Sequence, residues 1–115
     1  MPELPEVETT VRAIDKFENH ILEEIIVHNR NLRWKVETKV QSLTKRKLVV
    51  KITRRAKYIL IYLDDNCLMI HLGMSGKLRI QNNADNYFKK HDHAELVFKN
   101  EKIVFNDVRR FGSIH

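Results

Sequence analysis

The chain opens MPELPEVETT, and its second residue is a proline that the start of a helix does not need. Pro5 already supplies the imino acid that suits a first helical turn, so Pro2 asks for another explanation. Removal of Met1 leaves Pro2 as a free secondary amine. Amino termini have a pKa of about 8 and lysine side chains a pKa of about 10.4, so roughly a tenth of terminal amines are unprotonated at neutral pH. A neutral amine can attack a sugar carbon and form an iminium.

Two carboxylates, those of Glu3 and Glu6, follow this amine at a spacing of three residues. If the helix begins this early, both carboxylates project to one side near the terminus, which groups an amine with two acids. Acidic residues are also common in a first helical turn because they complement the helix dipole. The residues alone leave both interpretations open.

A second candidate is the segment HLGMSG, residues 71–76, which ends an apolar run. The two glycines that flank Met74 permit a tight backbone that could present Met74 outward. Methionine in an apolar neighbourhood is also a common core residue. His71 likewise suits either a functional position or an ordinary surface or buried one.

The segment DVRRFG, residues 107–112, combines a basic pair with an aromatic residue and a glycine. Its guanidinium groups can bind phosphates, and Phe111 can wedge between bases. The alternative is an exposed sheet edge with one core phenylalanine. In RRAKY, residues 54–58, Lys57 lies between two predicted strands with Arg54 and Arg55 beside it. Lys57 is either a solvated loop lysine or a phosphate contact.

The segment HDH suggests a metal site, because His91 and His93 would share one face of a strand. Zinc needs a third and usually a fourth ligand. The only cysteine, Cys67, lies in the distant apolar run NCLMIHL, where we expect a core thiol. We therefore expect no metal site and no cofactor in this chain. A single cysteine also favours a reducing compartment, so we expect a cytoplasmic location.

The element that must position the terminal amine is an amphipathic helix from Pro5 to about Glu18. Its apolar residues recur at spacings of three and four and form one buried stripe: Val7, Val11, Ile14 and Phe17. ILEEIIVHN predicts a strand. VETKVQSL predicts a second short helix with three apolar residues on one side: Val36, Val40 and Leu43.

The rest of the chain is β-rich. Short runs of Val, Ile and aromatic residues alternate with turn formers, in the order KLVVKITRR, KYILIYL, CLMIHL, GKLRI, AELVF and KIVFNDV. This spacing predicts an α+β fold: an antiparallel β-sandwich of about seven to eight strands, flanked by the N-terminal helix and the second short helix. QNNADNYFKKHD is the one long polar connection.

Composition narrows the class of protein. At 115 residues, 43% of them hydrophobic, the chain is one folded domain. A net charge of +6 attracts polyanions, most commonly nucleic acid. No apolar run reaches the length of a signal peptide core or a membrane span, so we expect no membrane partner.

Together these segments closely resemble the N-terminal domain of bacterial formamidopyrimidine-DNA glycosylase, a base-excision repair enzyme and AP lyase. The resemblance spans the whole chain and rests on five motifs in the family's order: PELPEVET, RRAKYIL, HLGMSG, KHDH and DVRRFG. It implies a monomeric, nucleoid-associated enzyme that acts on oxidised purines, including 8-oxoguanine, in damaged duplex DNA.

The resemblance also implies roles for single residues. Pro2 would be the nucleophile that attacks the deoxyribose, Glu3 would donate and accept protons, and Glu6 would support that site. Lys57 would hold a phosphate and donate a proton in β-elimination. Three residues would contact phosphate or backbone, namely His71, His91 and Arg109, and three would fill the gap left by a flipped base, namely Met74, Arg109 and Phe111.

Members of this family are more than twice as long, because a helix-two-turn-helix element and usually a four-cysteine zinc finger follow the N-terminal catalytic domain. One cysteine cannot build that zinc site, so we expect residues 1–115 to be the N-terminal catalytic domain alone. As an isolated fragment it would bind damaged duplex weakly and turn over little or not at all. The competing interpretation is a non-catalytic, basic β-sandwich that binds nucleic acid with an inert Pro2. A structural interaction domain without salt-dependent DNA affinity is a third.

Overall fold

A computed structural model describes residues 4–28, 38–73, 76–85, 90–107 and 113–114. The described residues form two α-helices and nine strands. The helices are α1 (Leu4–Ile14) and α2 (Thr38–Thr44), and the strands are β1 (Ile21–Leu22), β2 (Glu24–Val27), β3 (Lys47–Arg55), β4 (Tyr58–Leu63), β5 (Cys67–His71), β6 (Gly76–Asn82), β7 (Asp92–Val97), β8 (Glu101–Asp107) and β9 (Ser113–Ile114). No helix in these ranges is both long and apolar enough to cross a bilayer.

The strands form two antiparallel sheets that enclose one core. One sheet has five strands in the order β1-β3-β4-β5-β9, and the other has four in the order β2-β7-β8-β6. Alternate residues of the central strands fill the space between the sheets, among them Ile59, Ile61, Leu96, Ile103 and Phe105. The predicted sandwich with two flanking helices is therefore confirmed.

Helix α1 buries the predicted stripe. Val7 and Ile14 are almost fully buried, Val11 is partly buried against the core, and Phe17 completes the stripe from a single 3₁₀ turn that follows the helix. Phe17 stacks on Phe98 with ring centroids 4.3 Å apart. The predicted helix thus spans the right residues, but its last turn is wound more tightly.

The single predicted strand over residues 21–29 is wrong in one respect, because the chain changes sheet within it. β1 pairs with β3 in the five-stranded sheet, whereas β2 pairs with β7 in the four-stranded one. Glu23 between them donates its backbone N–H to the carbonyl of Val97 at 2.8 Å. This split, together with the two-residue β9, raises the strand number above the expected seven to eight.

Two predicted core positions are corrected. Leu43 of α2 is 53% exposed, and Thr44 is buried in its place beside the partly buried Val40, since residues four apart share a helix face. Val36 lies outside the described residues. Cys67 is only half-buried because Leu68 and Ile70 take the inward positions of β5. Partial burial nevertheless raises the pKa of the Cys67 thiol.

Candidate nucleic-acid interface

Lys57 and His71 lie at the same end of the five-stranded sheet. Lys57 occupies the tight turn between β3 and β4, after Ala56, whose φ is 52°. The next residue, Tyr58, is paired directly with His71, the last residue of β5, and their ring centroids are 4.9 Å apart. Lys57 and His71 are both half-buried. The strand register therefore brings the primary amine of Lys57 and the imidazole of His71 to the same end of the sheet.

The segment HLGMSG begins at that end of the sheet with a turn that a backbone hydrogen bond closes. The backbone N–H of Gly76 donates to the carbonyl of Leu72 at 2.7 Å, and Gly73 has a φ of 66°. A Cβ on Gly76 would lie 2.2 Å from the Leu72 carbonyl oxygen. Both glycines are therefore required by this backbone, one for its left-handed conformation and one for its close approach. Met74 lies outside the described residues.

The segment DVRRFG joins the same two points of the sandwich. Asp107 ends β8 opposite Gly76, and Ser113 begins β9 opposite His71. Residues 72–75 and residues 108–112 thus both connect the His71–Ser113 pair of one sheet to the Gly76–Asp107 pair of the other. We call this end of the sandwich, which also carries the Lys57 turn, the loop end. Arg109 and Phe111 lie outside the described residues.

His91 also belongs to the loop end. Its carbonyl accepts a hydrogen bond from the backbone N–H of Asp107 at 3.1 Å. The expectation that His91 and His93 share a strand face is wrong, because His91 precedes β7 with a φ of 71°. His93 is buried, and its Nε2 lies 2.6 Å from the carbonyl oxygen of Asp107. Among the described residues, no three His, Cys, Asp or Glu side chains are grouped to hold a metal.

Helix α1 points its N-terminal end toward the loop end. Glu8 pairs with Arg54 near the end of β3, with Oε2 and Nε 2.9 Å apart. Further along the chain, Glu18 accepts a hydrogen bond from the backbone of Ile52 at 2.7 Å, and Asn19 donates to the carbonyl of Val49 at 2.7 Å. The chain from α1 to Asn19 therefore runs antiparallel to β3.

Of the predicted acidic residues, Glu6 is exposed in the first turn of α1. Pro2 and Glu3 lie outside the described residues. The structure thus brings Lys57, His71 and His91 to the loop end, with the first turn of α1 directed toward the same end. It does not describe Pro2, Glu3, Met74, Arg109 or Phe111 themselves.

Two polar clusters on the four-stranded sheet were not predicted. Arg79 of β6 reaches across β8 to Asp92 of β7, with two nitrogen–oxygen contacts of 2.7 and 2.6 Å. Asn106 donates to the same carboxylate at 2.9 Å. Val104, which lies on β8 between these partners, is only 2% exposed. The pair therefore covers the outside of the sheet as well as linking three strands.

The second cluster is built on Glu95, which contacts Lys102 at 2.7 Å and also hydrogen-bonds His28. Burial by itself raises the pKa of the Glu95 carboxyl, but the hydrogen bonds and charges of Lys102 and His28 outweigh it, so the pKa lies below its ordinary value. The available sequence signal was an acidic residue inside the apolar strand AELVF, because buried carboxylates need partners.

Residues 1–114 match the family model of the formamidopyrimidine-DNA glycosylase N-terminal domain. The formamidopyrimidine-DNA glycosylase of Pasteurella multocida is 46% identical over 115 residues, and that of Alcanivorax borkumensis is 47% identical over 116. These alignments cover 98% and 99% of this chain but 42% of each relative. The chain therefore spans less than half the length of the curated relatives it matches.

Solved structures show the same fold. A crystal structure of Lactococcus lactis Fpg in complex with a DNA that contains Fapy-dG superposes with a TM-score of 0.89 at 31% identity, over 97% of this chain and 43% of that protein. A complex of the wild-type Lactococcus lactis protein with N7-benzyl-Fapy-dG DNA gives a TM-score of 0.90 at 31% identity, over 98% of this chain and 42% of that one.

Proposed function

Because this chain belongs to the formamidopyrimidine-DNA glycosylase N-terminal domain family, we propose that it is the catalytic half of a DNA glycosylase and AP lyase that acts on oxidised purines in duplex DNA. The observation that carries the proposal is the convergence at the loop end. Lys57, His71 and His91 all lie at that end of the sandwich, from which the segments that contain Met74, Arg109 and Phe111 also begin. The DNA in the related Lactococcus lactis complexes supports DNA as the partner.

The proposed chemistry begins at the amine of Pro2. Its lone pair attacks C1′ of the damaged nucleotide, the bond from C1′ to the base breaks, and the base leaves with a proton that Glu3 helps to supply. Glu3 then accepts the proton from the prolyl nitrogen and donates one to O4′ as the C1′–O4′ bond breaks, which opens the sugar and leaves an iminium between C1′ and the prolyl nitrogen. Removal of a proton from C2′ then expels the 3′ phosphate by β-elimination. Glu6 supports the proton-transfer site.

The proposed position of Pro2 follows from chain connectivity. Pro2 precedes Leu4 by two residues, a span of at most about 7 Å, and α1 begins at Leu4 with its N-terminal end directed toward the loop end. In this proposal the amine of Pro2 acts near the turn that carries Lys57. In this proposal Lys57 binds a phosphate and donates a proton in β-elimination.

The other loop-end residues bind the duplex in this proposal. His71, His91 and Arg109 contact phosphates and the DNA backbone. Met74, Arg109 and Phe111 occupy the space left when the damaged nucleotide leaves the stack, because an unfilled gap would cost the stacking energy of both neighbouring base pairs. The helix-two-turn-helix element and zinc finger of longer family members would grip the other side, so this chain alone binds weakly and turns over little.

The test is borohydride trapping, which reduces an iminium to a stable amine. Incubation of the chain with a duplex that contains one abasic site should give a covalent adduct, and peptide mapping should place the DNA on Pro2. Pro2→Gly should form adduct much more slowly, because the ring that orients the amine is gone. The intact mass of the purified chain should show that Met1 has been removed.

Two results would contradict the catalytic proposal. The first is equal trapping by Pro2→Gly. The second is the absence of adduct both with this chain and with a full-length version, although Met1 is removed and salt-dependent DNA binding is measured. The second result would identify the chain as a non-catalytic nucleic-acid-binding module.

A further inference from the structure

We propose that Arg54 is a positioning residue that holds the N-terminal part of α1 against the Lys57 turn, an inference that rests on the proposed function. Its guanidinium makes two contacts at once. Nε donates to Oε2 of Glu8 in α1 at 2.9 Å, and Nη1 donates to the carbonyl of Ala56 in the β3–β4 turn at 2.9 Å. One side chain therefore connects the helix that follows Pro2 to the residue that precedes Lys57.

The two neighbouring arginines have different environments. Successive side chains of a strand point to opposite faces, and Arg54 follows the face of the buried Ile52 toward α1. The Arg54 side chain is 30% exposed, whereas Arg55 is an exposed residue. The structure therefore assigns Arg54 to a contact with a carboxylate of its own chain.

Arginine suits this position for a geometric reason. Its planar guanidinium presents several N–H groups in a fixed arrangement, so it can bind a carboxylate and a carbonyl simultaneously. Ala56 has a φ of 52°, a conformation that costs energy for a residue with a side chain, and the hydrogen bond to its carbonyl favours that turn. Loss of Arg54 therefore loosens both the turn and the helix.

The expected consequence is slower chemistry, since a displacement of about 1 Å between reacting groups can reduce a rate by about 100-fold. In single-turnover borohydride trapping with saturating abasic-site duplex, Arg54→Met should form adduct about 10- to 100-fold more slowly. Arg55→Met removes the same charge from the adjacent residue and is the matched control. It should keep the saturated rate within about twofold, since DNA saturation removes the effect of weaker attraction.

Glu8→Gln separates positioning from charge. It makes the chain more basic, so a purely electrostatic account predicts faster association and an unchanged or higher saturated rate. Positioning predicts a slower saturated rate, in the same direction as Arg54→Met. The saturated rate of the double variant should lie within about twofold of that of the slower single variant, because both changes break the same link between Arg54 and Glu8. Saturated rates unchanged in both single variants would overturn the inference.

Hydrogen exchange tests the link without the reaction. The amides of Glu8, Thr9 and Thr10 close the first turns of α1, so they should exchange about 5- to 10-fold faster in both Glu8→Gln and Arg54→Met, and at the parent rate in Arg55→Met. If the parent chain forms no adduct, the proposed function fails, and exchange decides whether Arg54 holds α1. If the parent chain reacts and exchange is unaffected by either variant, the positioning inference fails alone.

Discussion

Replacing Gly76 with alanine should strongly destabilise the chain and disorder the turn that precedes β6. An added Cβ would sit 2.2 Å from the carbonyl oxygen of Leu72, and it would also lie 2.9 Å from the Leu72 carbonyl carbon and Cα. All three are backbone atoms, so no side-chain rotation relieves the overlap. The turn must open, and with it goes the hydrogen bond from the Gly76 N–H to the same carbonyl.

The magnitude follows from three contributions. Forced backbone displacement in a packed region costs about 1–3 kcal/mol. A buried donor that loses its partner costs about 1–3 kcal/mol more. Alanine restricts the unfolded chain and returns about 0.4–1 kcal/mol. At the middle of each range the net loss in the free energy of unfolding is about 3 kcal/mol, which at about 4 °C per kcal/mol lowers Tm by roughly 12 °C.

The assay is thermal and urea denaturation followed by circular dichroism. Gly73→Ala is the control from the same turn. The φ of 66° at Gly73 strains an alanine there at a cost of about 1–2 kcal/mol, and this cost is conformational and does not come from backbone overlap. Gly76→Ala should therefore be the more destabilised variant. Equal stability of the Gly76 variant and the parent chain would refute the steric argument and the turn geometry on which it depends.

Three further variants test the described residues. If Lys57 binds a phosphate as proposed, Lys57→Ala should weaken binding to duplex DNA about 3- to 10-fold and reduce the magnitude of the slope of log affinity against log salt by about 0.9, as measured by fluorescence anisotropy. Asp92→Asn should lower the free energy of unfolding by about 3–5 kcal/mol in urea denaturation, because Arg79 is left without its buried carboxylate. Glu95→Gln should be less stable than the parent by about 1–3 kcal/mol at pH 7. Since the folded-state pKa of Glu95 is lowered, this deficit should be fully present above the ordinary glutamate pKa and should shrink as acid protonates the parent carboxylate, whereas a deficit independent of pH would contradict it.

The sandwich was predictable because its signal is periodic. Alternation in KYILIYL and the helical stripe from Val7 to Phe17 are local patterns, and the structure buries the residues that they mark. The division of ILEEIIVHN between two sheets was not predictable in this way. Both halves have strand composition, and only the pairing partners, β3 for one and β7 for the other, decide that the chain turns at Glu23.

The candidate site shows the same limit. The glycines of HLGMSG predicted a tight turn, and the hydrogen bond from Gly76 to Leu72 confirms one. The roles of Arg54 and Asp92 could not be inferred, because each depends on a partner that is distant in sequence: Glu8 is 46 residues from Arg54, and Arg79 is 13 residues from Asp92. A basic pair in a sequence looks the same whether a guanidinium faces phosphate or a carboxylate of its own chain.

Antiparallel topology explains why four motifs of the family resemblance that are far apart in sequence, RRAKYIL, HLGMSG, KHDH and DVRRFG, each have described residues at the loop end. β3 and β5 run antiparallel to β4 and both end beside its start, and β8 ends beside the start of β6. The chain must cross between the sheets twice there, through residues 72–75 and 108–112, and both crossings share the same flanking pairs. A change in the separation of those pairs therefore moves the described ends of both segments together, which makes the packing of the two sheets a determinant of how the loop end is arranged.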